Sequence, residues 1–298
     1  MKFILSITGI LLLGTGLAGC DNTSSKVAPK TATVSASATT ATTVAKPNSG
    51  KTYAAGVPTS YVPFGYLDER GKPTGFDIDI LNAIADDQKI NFDQIPGVHN
   101  TFYTQVLANK EQLGSGGLTY NEERARTYAV SDPYRTTKNV LVYVRPELNL
   151  KELKDLAGLR AGVISRNSSQ EKHIRDANVP VKEVISYNTP YLAIQSLLLN
   201  NSDVAVLNAD VVATVIKSLT NQKFLVVPYA VNGEIGQDLI FIMNRNETEL
   251  VNKVNAGLKN IRNNGVYGRI SEKWFGNETN IPASPSSAST PAATSVTK

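Results

Sequence analysis

Gly116-Gly117-Leu118-Thr119-Tyr120-Asn121-Glu122-Glu123-Arg124 is the stretch on which the reading of this chain turns. The two glycines lack a Cβ, so the backbone there is open to close approach. Thr119 adds a hydroxyl and an N–H beside them. Asn121 is a natural N-cap, and its side-chain oxygen suits an N–H of the first helical turn. Glu122, Glu123 and Arg124 fall on that turn. The guanidinium of Arg124 is a planar fork of donors that matches a carboxylate, and free N–H groups at a helix start favour the same charge. The stretch reads as a loop entering a helix and offering a seat for a carboxylate. A plainer reading, an exposed Arg124 balancing Glu122 and Glu123, stays open on local sequence alone.

Outward from this stretch, short apolar runs alternate with helical stretches. Strands are expected over 52–57, 89–92, 140–144, 160–164, 182–186, 203–207, 224–227 and 239–243. Apolar residues at Ile80, Leu81, Ile84 and Ala85 have the spacing of one helix face, which predicts a helix over 77–87. Further helices are expected over 150–156, 169–177, 190–199, 209–219 and 247–263. Strands alternating with helices point to α/β domains with mostly parallel sheets.

Composition narrows the function. The chain is 41% hydrophobic and 19% charged, as ordinary globular proteins are. A net charge of +4, with no run of five Lys or Arg, gives no reason to expect a nucleic-acid partner. His99 and His173 are the only histidines and lie far apart. Neither has a second His or a Cys at metal-ligand spacing, so no metal, no cofactor and no catalytic triad are expected. Both histidines read as exposed or capping side chains. Residues 20–51 are rich in Ser, Thr, Ala and Lys without a hydrophobic period, and 278–298 repeat Pro, Ser, Ala and Thr. Such segments bury too little apolar surface to offset the entropy of ordering. They read as a flexible linker and a disordered tail.

Lys2 is followed by an apolar run over 3–13 and then by Leu17-Ala18-Gly19-Cys20, whose cysteine is the chain's only one. A basic start, a short apolar run and small residues mark a signal peptide, here 1–19. The tetrapeptide resembles the lipobox of bacterial lipoproteins. That resemblance implies cleavage before Cys20 and its acylation, hence export and a lipid anchor on the bacterial cell membrane, on its periplasmic side if an outer membrane is present.

Four segments, in order, resemble the polar amino-acid branch of the bacterial solute-binding proteins that serve ABC importers, extracellular solute-binding family 3. The first is Tyr61-Val62-Pro63-Phe64 with Gly75-Phe76-Asp77-Ile78-Asp79. The second is Gly116 to Arg124 with Ser131-Asp132-Pro133-Tyr134. The third is Leu156-Ala157-Gly158-Leu159-Arg160-Ala161-Gly162-Val163. The fourth runs from Val254-Asn255 through Gly265 to Lys273-Trp274-Phe275-Gly276. Each piece alone is weak, and the ordered set is specific.

The resemblance implies a two-lobed type II periplasmic-binding-protein fold, with two mostly parallel sheets joined by two crossing strands. One lobe would comprise 52–143 and 236–277, the other 144–235. The ligand would lie between the lobes, held by Tyr61, Phe64, Gly117, Thr119, Arg124, Ser168 and Asn208. Tyr61 and Phe64 match aromatic positions that stack on the ligand, though Phe64 reads equally as core. Ser168, in the turn Arg166-Asn167-Ser168-Ser169, matches a donor of the second lobe, though that turn reads equally as a helix cap alone. Asn208 stands where the family usually has an Asp that binds the ligand's ammonium, and Asp210 could compensate if the turn differs. Pro58 lies near a position that is acidic in binders of basic amino acids. These departures favour a carboxylate ligand that is not strongly cationic. The implied function is capture of an amino acid or related small carboxylate and delivery to a membrane permease, by a monomer that is not an enzyme. A sensing lipoprotein and a cyclohexadienyl-dehydratase-like enzyme are the alternatives.

Overall fold

A computed structural model of the chain describes residues 48–164, 168–219 and 221–276. All of these residues belong to one compact unit. The expected signal peptide, Cys20, most of the linker, Arg166 and the tail over 278–298 lie outside the described residues.

The chain opens with β1 (Thr52–Pro58), β2 (Ser60–Tyr61), β3 (Gly65–Leu67) and β4 (Pro73–Thr74), then α1 (Phe76–Gln88). Next come β5 (Asn91–Gly97), α2 (Phe102–Leu107), β6 (Leu113–Thr119), α3 (Glu122–Thr127), β7 (Ala129–Val130) and β8 (Arg135–Tyr143). After two 3-10 turns the chain forms β9 (Arg160–Ile164), α4 (Ser169–Asp176), β10 (Glu183–Tyr187), α5 (Pro190–Leu198), β11 (Val204–Asn208) and α6 (Ala209–Lys217). It closes with β12 (Leu225–Pro228), β13 (Gly236–Met243), α7 (Thr248–Asn263) and α8 (Val266–Phe275).

One sheet runs in the order β10-β9-β11-β8-β13-β6-β1-β5, with β12 beside β8 and β7 beside β13; β2, β3 and β4 form a small separate sheet. The outer strands are parallel, β5 to β1 to β6 at one end and β10 to β9 to β11 at the other. The two halves meet at β8 and β13, which run antiparallel. The start of β8 pairs β13, Arg135 opposite Leu239, while its later residues pair β11 and β12. These are the two crossing strands.

Helix periodicity explains the packing around the first end. Leu250, Val254, Leu258 and Ile261 of α7 recur every three or four residues and are buried. They pack in one cluster with Ile80, Leu81 and Ile84 of α1. A second cluster, including Leu141, Leu156, Val163, Ile174, Val206 and Tyr229, fills one side of the other end.

The separated motifs meet. The N–H groups of Phe76 and Asp77 donate to the carbonyls of Pro63 and Phe64 at 2.8 and 3.0 Å. Gly75, at φ 143°, is required there because a Cβ would fall 2.2 Å from the Phe64 carbonyl oxygen. Near the other end of the chain, the Trp274 indole N–H and Lys273 Nζ both reach Asp79 Oδ2, at 2.7 and 2.6 Å.

Several elements differ from expectation. The strand expected at 89 begins at Asn91, because Lys89 takes the left-handed conformation that ends α1. The helix expected over 150–156 shrinks to the 3-10 turn Leu153–Leu156. Helices α2 and α8 are additional. Strand β6 is unexpected and fully buried, although its sequence is LGSGGLT. Small residues are needed there: a Cβ on Gly114 would lie 3.0 Å from Ile242 and 3.2 Å from Phe102.

Candidate functional site

A cavity of about 610 Å³ opens between the two halves of the sheet. One wall carries Tyr61, His99, Tyr103, Thr119 and Arg124; the other carries Ile164, Ser168, Ser169, Gln170 and Asn208.

Arg124 is held from behind. Its backbone N–H donates to Asn121 Oδ1 at 2.8 Å, the cap anticipated for α3. Its side chain is 9% exposed. Nη1 donates to the Thr119 carbonyl and, at 3.0 Å, to Thr119 Oγ1. The guanidinium also lies over the Tyr103 ring, 5.0 Å from its centroid. No described protein group accepts from Nε or Nη2, so two donor directions of a fixed cation remain for a solute. Thr119 reaches further, because its hydroxyl and that of Ser169 on α4 lie 2.7 Å apart. This bond joins the two walls.

The glycine loop behind Thr119 is set by Asp77. Its Oδ2 accepts from the N–H of Gly116 at 2.7 Å, from the N–H of Gly117 at 2.9 Å and from the Tyr134 hydroxyl at 2.9 Å. Burial pushes this carboxyl up to about 6, and the three donors pull the other way. The N–H of Gly117 is therefore turned to Asp77 and not to the cavity. Gly117 still lines the cavity, and its φ of 63° and a Cβ position 2.6 Å from Phe64 Cδ2 exclude a side chain.

The aromatic residues separate. Tyr61 lines the cavity and stacks on His99 at 4.3 Å. Phe64 is wholly buried, 6.2 Å behind Tyr61 and 6.1 Å from Phe275. It does not line the cavity, which corrects its expected place against the ligand: it packs in the core and backs Tyr61. His99, expected as exposed or capping, is part of the wall. Its Nε2 lies 2.7 Å from the Gly116 carbonyl, which can only accept, so Nε2 carries the hydrogen. Burial lowers its pKa to about 4, so the ring is neutral at neutral pH.

On the second wall Ser168 lines the cavity and caps α4, accepting from the Glu171 N–H at 3.2 Å. Its neighbour Ser169, not singled out from sequence, is the one that reaches Thr119. Asn208 is 2% exposed and caps α6. Its Oδ1 accepts from the Asp210 N–H at 2.9 Å and from the Thr137 hydroxyl at 2.8 Å, while Nδ2 has no partner. Asp210 is committed elsewhere. Both its oxygens receive the wholly buried Arg135, at 2.9 and 2.7 Å, and Arg135 lies 3.5 Å from the Phe275 ring centroid. Asp210 is absent from the cavity lining, which removes it as a substitute for the missing Asp.

A two-lobed sheet with two crossing strands and a polar cavity between its halves defines a solute-binding class. The profile of the bacterial extracellular solute-binding proteins, family 3, matches residues 53–277, and the chain belongs to that family. Its fold is that of the type II periplasmic binding proteins. The arginine-binding extracellular protein ArtP of Bacillus subtilis (strain 168) is 27% identical over 223 residues, 75% of this chain and 86% of its own. A solved ancestral arginine-binding protein bound to arginine superposes with a TM-score of 0.69 at 28% identity, covering 76% of this chain and 98% of its own. The ancestral amino acid-binding protein AncCDT-1, a precursor of cyclohexadienyl dehydratase, gives 0.66 at 25% identity, covering 75% and 95%.

Proposed function

We propose that this protein is the substrate-binding component of an ABC importer, capturing an amino acid or related small carboxylate between its lobes and passing it to a membrane permease. The observation that carries this reading is Arg124: a nearly buried guanidinium, fixed through Nη1, with two donor directions left at a cavity of solute size. The lobes are 52–143 with 236–277, and 144–235, and a solute touching both walls favours the closed state through its differential contacts. Micromolar capture needs about 8 kcal/mol. A bidentate charged pair and a few charge-assisted hydrogen bonds, at about 1.5–3 kcal/mol each, supply that order.

The protein acts by binding and not by catalysis. Among the described residues lining the cavity, neutral His99 is tied to a carbonyl and the one carboxylate, Glu123, is exposed, which supports this reading. The domain is exported, tethered through acylated Cys20, and works as a monomer. A Cys20→Ser chain is expected to lose labelled palmitate and to leave the membrane fraction; retained label would remove the anchor.

Calorimetry with a panel of amino acids and small carboxylates tests the main reading. Arg124→Ala is expected to weaken the best ligand by about a hundredfold or more, since stranding one partner of a desolvated pair costs about 3–5 kcal/mol. Near-native affinity in that variant would overturn the carboxylate seat.

A further inference from the structure

The cavity has an anion's cation and lacks a cation's anion. Among the described residues that line it, Arg124, Lys172 and Arg175 are positive and Glu123 alone is negative. Glu123 is exposed on α3, next to Arg124 in the chain. Lys172 shares its charge with Asp176 at 2.8 Å, outside the lining.

Asn208 sharpens this imbalance. The backbone N–H of Asp210 can only donate, so the atom 2.9 Å from it is the amide oxygen, and the amide cannot be flipped. That oxygen also receives Thr137, which fills both its acceptor sites. What remains is Nδ2, a donor, buried and unpartnered on a residue of the cavity wall. Asp210 cannot step in, because Arg135 holds both its oxygens. An ammonium brought to Asn208 would meet a donor and no counter-charge. A carbonyl or hydroxyl oxygen would satisfy the free amide.

We propose that the solute carries a hydrogen-bond acceptor in place of an ammonium on the carbon next to its carboxylate, so that it is a 2-oxo or 2-hydroxy acid, and that Asn208 sets this preference through Nδ2. This rests on the reading of Arg124 as the carboxylate seat. Asn208 lines the wall opposite Arg124, so one small acid between them can touch both walls.

The test uses two acids that differ only at that carbon, 2-oxoglutarate and glutamate, with arginine, glutamine and succinate beside them, in calorimetry on the purified chain. The wild-type protein is expected to bind 2-oxoglutarate at least tenfold more tightly than glutamate. Asn208→Asp keeps an oxygen for the Asp210 N–H and replaces the donor with an anionic acceptor; it should narrow or invert that ratio by at least tenfold. Asn208→Ser, a smaller change that retains a capping oxygen, should lose 2-oxoglutarate tenfold and leave glutamate nearly unchanged. Thermal melts verify that each variant folds, and the wild-type ratio decides even if neither does. Tighter wild-type binding of glutamate, glutamine or arginine that Arg124→Ala abolishes would overturn this inference and leave the carboxylate seat standing. An unchanged ratio in a folded variant would overturn the role of Asn208. Failure of every acid in the panel would bring down the carboxylate reading and this inference together.

Discussion

Two asparagines start helices on opposite walls of the cavity, and the starts end differently. Asn121 caps α3, and the residue whose N–H it receives, Arg124, turns its side chain to the cavity. Asn208 caps α6, and the residue whose N–H it receives, Asp210, turns its side chain to Arg135. The local device is the same: one side-chain oxygen satisfies one orphan N–H. What differs lies behind the helix. Thr119 holds Arg124 through one nitrogen and leaves the others free, whereas Arg135, buried under Phe275, takes both oxygens of Asp210. The charge a cavity shows is thus set by what the neighbouring core withdraws from it as much as by what the chain places near it.

The second start should break hardest. Asp210→Ala strands Arg135, whose Nη1 already lacks a partner, as an uncompensated buried cation. We expect a loss of about 3–5 kcal/mol in urea unfolding. A loss below about 1 kcal/mol would mean that Arg135 does not depend on Asp210, and the contrast between the two starts would fail.

The first start leans on Asp77, and pH probes it. Burial raises this carboxyl to about 6 in the folded protein, above the usual carboxylate value. Between the unfolded value, about 4, and the folded one, the native state holds more protons than the unfolded chain, so stability falls as pH rises through that window. The contribution is fully lost above about 6, at a cost of roughly 3 kcal/mol. Asp77→Asn, compared with the parent in urea at pH 4 and pH 7, should lack this fall. An unchanged difference between the two pH values would show that the slope arises elsewhere.

The smallest effect is expected at the cap. Asn121→Ala should cost about 1 kcal/mol of stability. It should weaken carboxylate binding only a few fold, because Thr119 still holds the guanidinium. A loss of affinity matching that of Arg124→Ala would show that the cap, and not Thr119, positions the cation.

The elements legible in the sequence are those whose side chains carry a period. Helices α1 and α7 show an apolar face, and β1, β9 and β11 are apolar runs bounded by polar residues. Strand β6 carries no such signal, because its place between β1 and β13 requires small residues, which read as loop. Arg124 was visible because its cap, its glycines and its neighbours lie within nine positions. The fate of Asp210 was not visible, and nothing local decided whether Phe64 faces the ligand or the core. Arg135 lies 75 residues from Asp210, and Phe275 closes over both Phe64 and Arg135 from the far end of the described chain. His99 was read for a local role and Ser169 was not singled out, and in each case a residue distant in sequence decides which way it points.

Trp274 is the chain's only tryptophan. Its indole N–H is fixed on Asp79 at 2.7 Å and its ring meets Tyr66 edge-on, away from the cavity lining. Fluorescence excited in the indole band therefore watches the joint between the first helix and the last. It will signal the parting of α1 and α8 as the protein unfolds, while a solute settling on Arg124 leaves no direct mark on it; that arrival is better followed in the ultraviolet absorption of Tyr61 and Tyr103.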